Sequence, residues 1–332
     1  MRNVRKGLVS LLVLGSILAL ALSSVAFAAK PLESDEVGSK AYSYIEKLTF
    51  APRVAGTPEE FAAAEMIEQV FSGAGYDTQL QPFTFISRGR SVSSQNVIAY
   101  RAAAKKPKSS PTPLVIVGAH YDSVSGDAGV GGGLGADDNA SGVAVMLEVA
   151  ERIVNYRQEY DLVFVAFGAE EVGLRGSFHY VGSMSEPDIA RTIAMINFDS
   201  LSVGDKLYIH AGFNEKTWAR DEMLRLIDRH KLPIEMQPGL NPDYPAGLTP
   251  DGFSDYTAFN MAGIPIVAFE STNWEIGDLD GYVQTELYGS FWHNEDQSDT
   301  LARIEELFPG RPMIRLHAYT TLVFEFLKHL NP

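Results

Sequence analysis

The residues best equipped for chemistry stand just after short apolar runs. Residues 114–118 are followed by Ala119-His120-Tyr121-Asp122-Ser123, residues 162–167 by Gly168-Ala169-Glu170-Glu171, and residues 194–198 by Asp199. A fourth acidic group, Asp137-Asp138, precedes an apolar helical segment that begins near Ala140. Imidazoles and carboxylates suit hard or borderline divalent metals, and a metal so held makes water acidic enough to attack at neutral pH. The chain contains no cysteine, which removes disulfides, thiolate metal sites and cysteine nucleophiles together. Any metal must then be held by His and carboxylates.

Each group also has a plainer reading. His120 could be a strand-end imidazole satisfied by backbone, and Glu170-Glu171 a solvated loop. Asp137 and Asp138 could cap the helix after them, and for Asp137 capping is the expected role. Spacing sharpens two of these. Asp122 lies two residues beyond His120, so in extended chain both side chains leave the same face and the carboxylate can accept from one imidazole nitrogen while the other binds metal. Adjacent Glu170 and Glu171 would point opposite ways in extended chain, one to a metal and one to a water.

Hydropathy supplies the framework for these groups. Residues 34–48 and 58–71 have helical spacing, the second opened by Thr57-Pro58-Glu59-Glu60, a cap followed by Pro and acids. Residues 79–86 and 96–100 read as strands, and the polar stretch 103–113 as an exposed loop. The runs 114–118, 162–167, 194–198 and 264–269 are short, uninterrupted and separated by helical segments such as 143–156, with a last helix over 313–330. Such runs predict an α/β fold: one catalytic domain with a central, twisted, mostly parallel (mixed) sheet flanked by helices, and ligands beyond the carboxyl ends of the strands. The glycines of 126–135 lack the Gly-Lys-Ser/Thr ending of a phosphate cradle and read as a flexible approach to the site.

The first residues are expected to lie outside this fold. Arg2, Arg5 and Lys6 precede an apolar run over 8–22 and the small-residue triplet Ala26-Phe27-Ala28, the layout of a secretory signal peptide cleaved after Ala28. A membrane anchor is the alternative. Cleavage leaves residues 29–332, secreted to the extracellular space, periplasm or wall. The 332-residue chain carries a net charge of −15, and losing three basic residues and no acid takes it to −18. That surplus argues against nucleic acid or anionic membrane as a partner. A monomer is the expected state.

Taken together, three strings carry a family resemblance: Gly118-Ala119-His120-Tyr121-Asp122-Ser123, Gly135-Ala136-Asp137-Asp138-Asn139-Ala140-Ser141-Gly142, and Glu170-Glu171 with Gly173. Asn197-Phe198-Asp199, Ser254-Asp255-Tyr256 and Ala262-Gly263-Ile264-Pro265 extend it. The chain resembles the secreted two-zinc aminopeptidases related to transferrin-receptor-like and glutamate carboxypeptidase proteins. The resemblance implies two zinc ions per chain, with His120 and Asp199 on one, Asp138 bridging, and Glu171 and a late histidine on the other. It also implies Glu170 as general base. The late histidine is assigned to His293, in Trp292-His293-Asn294-Glu295-Asp296-Gln297-Ser298-Asp299-Thr300, with His210 as its rival. This segment, Thr272-Asn273-Trp274 and Asp280-Gly281-Tyr282 look most like the bacterial alkaline phosphatase isozyme conversion aminopeptidases. The departure from the family is the longer spacing to Asp299-Thr300.

The implied reaction removes N-terminal residues from peptides with a free amine. Tyr256 and Tyr244 are candidates for a hydroxyl that stabilises the tetrahedral oxyanion. Glu275, Asp278, Asp280 and Glu286 suggest an acidic rim favouring basic, or else bulky, N-terminal residues. His179, His317 and His329 read as packing or surface residues, and His230 as a cation at a helix C-terminus. The rivals are a carboxypeptidase or amidohydrolase of the same fold, a one-zinc glutaminyl cyclase, which the full ligand set disfavours, and a non-catalytic binding module. Every expected ligand position is occupied, which argues against the last.

Overall fold

A computed structural model of the chain describes residues 36–105, 111–125, 133–249, 251–292 and 299–331. The expected signal peptide, most of the 126–135 glycine stretch and His293 lie outside these residues. In chain order the elements are α1 (Ser39–Leu48), α2 (Pro58–Gly73), β1 (Asp77–Ser87), β2 (Arg90–Arg101), β3 (Leu114–His120), α3 (Gly142–Ile153), β4 (Asp161–Phe167), α4 (Arg175–Ser183) and α5 (Glu186–Arg191). Next come β5 (Thr192–Phe198), β6 (Lys206–Gly212), α6 (Trp218–His230), β7 (Ile234–Glu235), β8 (Leu248–Thr249), α7 (Tyr256–Met261), β9 (Ile266–Thr272), α8 (Leu301–Leu307) and α9 (Arg311–His329).

All strands join one mixed sheet in the order β1-β2-β4-β3-β5-β9-β6-β7, with β8 also on β6. The centre, β4-β3-β5-β9, is parallel, so four carboxyl ends share one edge. Strands β2 and β6 run antiparallel to this block on its two sides. Every residue of β3 and β4 is buried, as uninterrupted apolar strands require when both faces are covered. Alternate residues feed two cores. Val115, Val117, Phe164 and Ile196 pack with α1, α2, α3 and α9, whereas Ile116, Val165, Phe167 and Met195 pack with Tyr180 of α4 and Phe259 of α7. The chain thus leaves β3 across one face and reaches β5 across the other, and the crevice between β3 and β5 is the topological switch point where such sheets bind ligands.

Two elements differ from the sequence expectation. β2 runs over Arg90–Arg101 rather than 96–100, because only Val97–Arg101 pair with β4, and its remainder pairs with β1 alone in a hairpin whose turn end is exposed. The hairpin turns at Arg88 and Gly89, both with positive φ (47° and 75°), the geometry that matches strand twist. The last central strand is Ile266–Thr272, since Ile264-Pro265 form the approach to it. Among the described residues no helix is long and apolar enough to cross a membrane.

Candidate active site

At the carboxyl edge of the central strands lies a cavity of about 250 Å³ whose lining includes His120, Asp138, Glu170, Glu171 and Asp199. These five come from four chain segments. His120 ends β3, Glu170 and Glu171 come after β4, Asp199 comes after β5, and Asp138 sits in a wide turn over Ala136–Ser141 that leads into α3. The peptide between Asp138 and Asn139 is cis.

The imidazole Nε2 of His120 lies 3.2 Å from Asp138 Oδ1 and 3.5 Å from Asp199 Oδ1. One donor atom each from His120, Glu170 and Asp199 fall within 4.8 Å of one another. Burial disfavours charge on His120, but the Glu170 and Asp199 carboxylates and hydrogen bonds to Asp122 and Asp138 outweigh it and hold the imidazole well above its ordinary range. Burial drives Glu170 and Glu171 well above the usual carboxylate range, opposed by His120 and reinforced for Glu171 by Asp138. Burial acts on Asp199 too, yet His120 and donors from Ser254 and Ser200 hold it below its ordinary value. Among the described residues no Lys or Arg lines this cavity. Four carboxylates around one imidazole, Asp138 buried and Glu170, Glu171 and Asp199 half-buried, without a cationic side chain among them, form a donor set that fits divalent metal, because charge withdrawn from water is costly unless paired or bound to metal.

Asp122 corrects the simple picture of an imidazole partner. Its buried carboxylate stands 3.5 Å from His120 Nδ1, but its shorter contacts are the backbone N–H groups of Glu170 (2.9 Å) and Glu171 (3.2 Å). The two glutamates are therefore not in extended chain. They occupy a turn that starts with Ala169 at φ 55° and closes through Gly173 N–H to Glu170 O, so both side chains reach the same cavity. Ser200, after Asp199, is likewise left-handed at φ 50°. Backbone of this kind persists where surrounding contacts over-determine it.

Asp137 also exceeds its expected role. It is fully buried, and one carboxylate oxygen accepts from Ser202 N (2.6 Å), Ser202 Oγ (2.9 Å) and Val203 N (3.1 Å), the other from Gln284 Nε2 (2.6 Å). Burial raises it to about 6, against those donors. Asp299 accepts the N–H groups of Asp137 (2.7 Å) and Asp138 (3.0 Å), and so fixes the turn that carries Asp138. Beneath lies Arg53, wholly buried, donating to the carbonyls of Tyr121 (2.7 Å), Leu48 (3.1 Å), Leu134 (2.6 Å) and Gly135 (3.1 Å). Gly135 must be glycine: its φ is 59°, and a Cβ would stand 2.3 Å from Asp138 O. Apart from Arg53 to Leu48, these hydrogen bonds have no local signature, because their partners stand 65 to 162 positions apart.

Ser254 donates to Asp199 Oδ2 (2.6 Å) and accepts from Asn197 Nδ2 (3.0 Å). Tyr256 opens α7, lines the cavity and has its hydroxyl 2.7 Å from Thr249 Oγ1. Tyr244 instead packs edge-on to Trp274, with ring centroids 5.4 Å apart, and is not among the lining residues. His210 lines the cavity beside Glu270, with Nε2 2.9 Å from Oε1. Of the four rim acids only Asp280 lines the cavity, and Glu275 is paired with Lys206. His179 stacks on Phe83, His317 lies against the Val37 carbonyl and His329 against Glu325, as packing and surface residues do.

Residues 96–310 match the model of peptidase family M28. The chain is 34% identical over 304 residues to the alkaline phosphatase isozyme conversion protein of Escherichia coli K12, covering 85% of this chain and 87% of that one. It is 31% identical over 240 residues to aminopeptidase YwaD of Bacillus subtilis 168, covering 71% of this chain and 45% of the relative, so it spans less than half of that protein. In structure it resembles a zinc aminopeptidase from Bacillus subtilis with a TM-score of 0.69 and 19% identity, over 90% of this chain and 97% of the other, which speaks for the fold. The family match and the first relative, which aligns along most of both chains, establish that this chain belongs to peptidase family M28 and is a metallo-exopeptidase.

Proposed function

We propose that the chain is a secreted aminopeptidase, its first 28 residues a signal peptide removed on export, that uses two zinc ions to hydrolyse N-terminal residues from peptides. The observation that carries this reading is the convergence of His120, Asp138, Glu170, Glu171 and Asp199 on one cavity at the sheet's carboxyl edge. His120 and Asp199 would hold one ion, Asp138 would bridge, and Glu171 with His293 would hold the other. His293 is preferred over His210 because the close neighbours of His210 are Glu270, Tyr208 and Trp274 rather than the expected ligands. The ions would supply Lewis acidity toward the scissile carbonyl and lower the pKa of the attacking water.

The chain's own residues do the rest. Glu170, brought to the cavity by its turn on Asp122, takes a proton from the water as its oxygen bonds to the carbonyl carbon. It returns that proton to the peptide nitrogen as the C–N bond breaks, and the leaving amine departs neutral. Asp122 positions Glu170 and Glu171 and touches no substrate atom. Tyr256 offers its hydroxyl to the developing oxyanion. A cavity whose described lining carries carboxylates and neither Lys nor Arg favours the substrate's free ammonium, and with it a basic first side chain.

The test compares leucyl and lysyl peptides with free and acetylated N-termini, with and without chelator. Release of the first residue from free peptides alone, abolished by chelator and restored by zinc, is the expected result. Equal cleavage of acetylated peptides would move the chain to the carboxypeptidase or amidohydrolase reading.

A further inference from the structure

Beyond the metal end, the cavity contains a second built feature that the reaction above does not use. Glu270 lies on β9, next to β5, and Phe198 of β5 pairs with Phe269. Asp199 N–H donates to Phe269 O at 3.0 Å, so Glu270 and Asp199 occupy neighbouring positions on adjacent chains, with strand axes about 4.8 Å apart. Glu270 thus lies one strand over from Asp199 and lines the same cavity.

Glu270 is held in place by Trp274, with His210 beside it. Trp274 Nε1 donates to its Oε1 at 2.5 Å, and His210 Nε2 lies 2.9 Å from the same oxygen. His210 is 1% exposed and lines the cavity, and neither of its ring nitrogens makes a hydrogen bond. Phe253, Tyr282 and Trp292 form an aromatic cluster that also lines the cavity, with Tyr282 5.3 Å from Phe253 and 6.4 Å from Trp292 between ring centroids. Aromatic faces accept both the methylenes and the charge of a long cationic side chain. A fixed carboxylate in a cavity with aromatic lining is an end-point for an ammonium or guanidinium.

We propose that Glu270, oriented by Trp274, is the residue that recognises the first side chain of the substrate, and that the chemistry it selects is the cationic end of lysine or arginine. The exposed acids of the 275–286 loop are not required for it. The inference rests on the aminopeptidase reading. A merely structural Glu270 would tie Trp274 to the sheet, a task that glutamine performs as well, since it keeps an acceptor oxygen.

The experiment uses Glu270→Gln and Trp274→Phe in the full mature chain, assayed on leucyl, methionyl, lysyl and arginyl nitroanilides. In parallel, calorimetry measures the binding of argininamide and leucinamide. Glu270→Gln should lower kcat/KM for the lysyl and arginyl substrates about 10- to 100-fold, the value of a hydrogen bond to a charged group, and leave leucyl and methionyl within about threefold. Its affinity for argininamide should fall and that for leucinamide should not. Trp274→Phe keeps the carboxylate but removes the donor that orients it, so it should weaken the cationic preference less than Glu270→Gln does. An equal loss on all four substrates, an unchanged lysyl-to-leucyl ratio, or a native enzyme that ignores lysyl and arginyl substrates overturns the proposal. Failure of the aminopeptidase reading shows separately, as cleavage of acetylated leucyl substrate by the native protein, and the argininamide affinities then still decide the role of Glu270.

Discussion

Replacing Asp122 by Asn probes the link between the fold and the catalytic glutamates. Asp122 is fully buried and its two oxygens accept the N–H groups of Glu170 (2.9 Å) and Glu171 (3.2 Å), which fixes the turn that aims both side chains into the cavity. Asparagine has nearly the same shape but only one acceptor oxygen, so one amide would face another N–H. A hydrogen bond to a charged group contributes about 1.5–3 kcal/mol. If that loss is felt in the transition state, at about 1.4 kcal/mol per factor of ten, kcat/KM falls roughly 10- to 150-fold. Asp122→Ala removes both bonds and should cost about 10²- to 10⁴-fold on the same scale. The assay is leucyl-nitroanilide hydrolysis with zinc added stepwise up to saturation, with bound metal measured on the same samples. An Asn variant within threefold of the native enzyme would refute the reasoning. So would a loss fully restored by added zinc, because Asp122 would then be acting on metal affinity through His120.

Other consequences can be measured alongside it. Glu170→Gln should keep its metal and lose about 10²- to 10⁴-fold in turnover, the usual contribution of a general base, and full activity would remove Glu170 from that role. Glu148 on α3 accepts from Gly38 N (2.9 Å) and Ala41 N (2.7 Å), standing in for the side-chain cap that α1 lacks, and pairs with Arg152. Glu148→Ala should therefore cost about 3–5 kcal/mol in urea unfolding, and a loss below about 1 kcal/mol would contradict the capping role. Burial lifts Glu60 from its ordinary 4.5 to about 8, so the folded chain holds a proton across that window which the unfolded chain releases, and stability declines as pH rises through it. Glu60→Gln has no such proton, so its melting temperature should gain on the native protein between about pH 4.5 and 8; parallel curves would exclude this source.

Much of the architecture was legible because β3, β4, β5 and β9 are buried on both faces, which forces unbroken apolar runs, and because such sheets bind ligands at one edge. His120, Glu170-Glu171 and Asp199 stand at or just past the carboxyl ends of those runs, and the runs alone locate them. The supports of these residues have no such marker. Asp299, Gln284 and Arg53 act on the 135–138 segment from 82 to 162 positions away, and no period or local pattern marks such a contact. The turn at Ala169 was hidden for a different reason. Its positive φ occurs in a residue other than glycine, held by Asp122 rather than by its own chemistry. The short helices α4, α5 and α7 carry too few turns to show a periodicity, and the two-residue β7 and β8 exist only as edges of β6.

The most direct measurement is a zinc titration of the chelator-stripped protein, monitoring release of the first residue from a free leucyl peptide. The account predicts no activity without metal and a rise to a plateau at two zinc ions per chain, with the acetylated peptide untouched throughout. Full activity in the stripped protein, or a plateau at one ion, would contradict it.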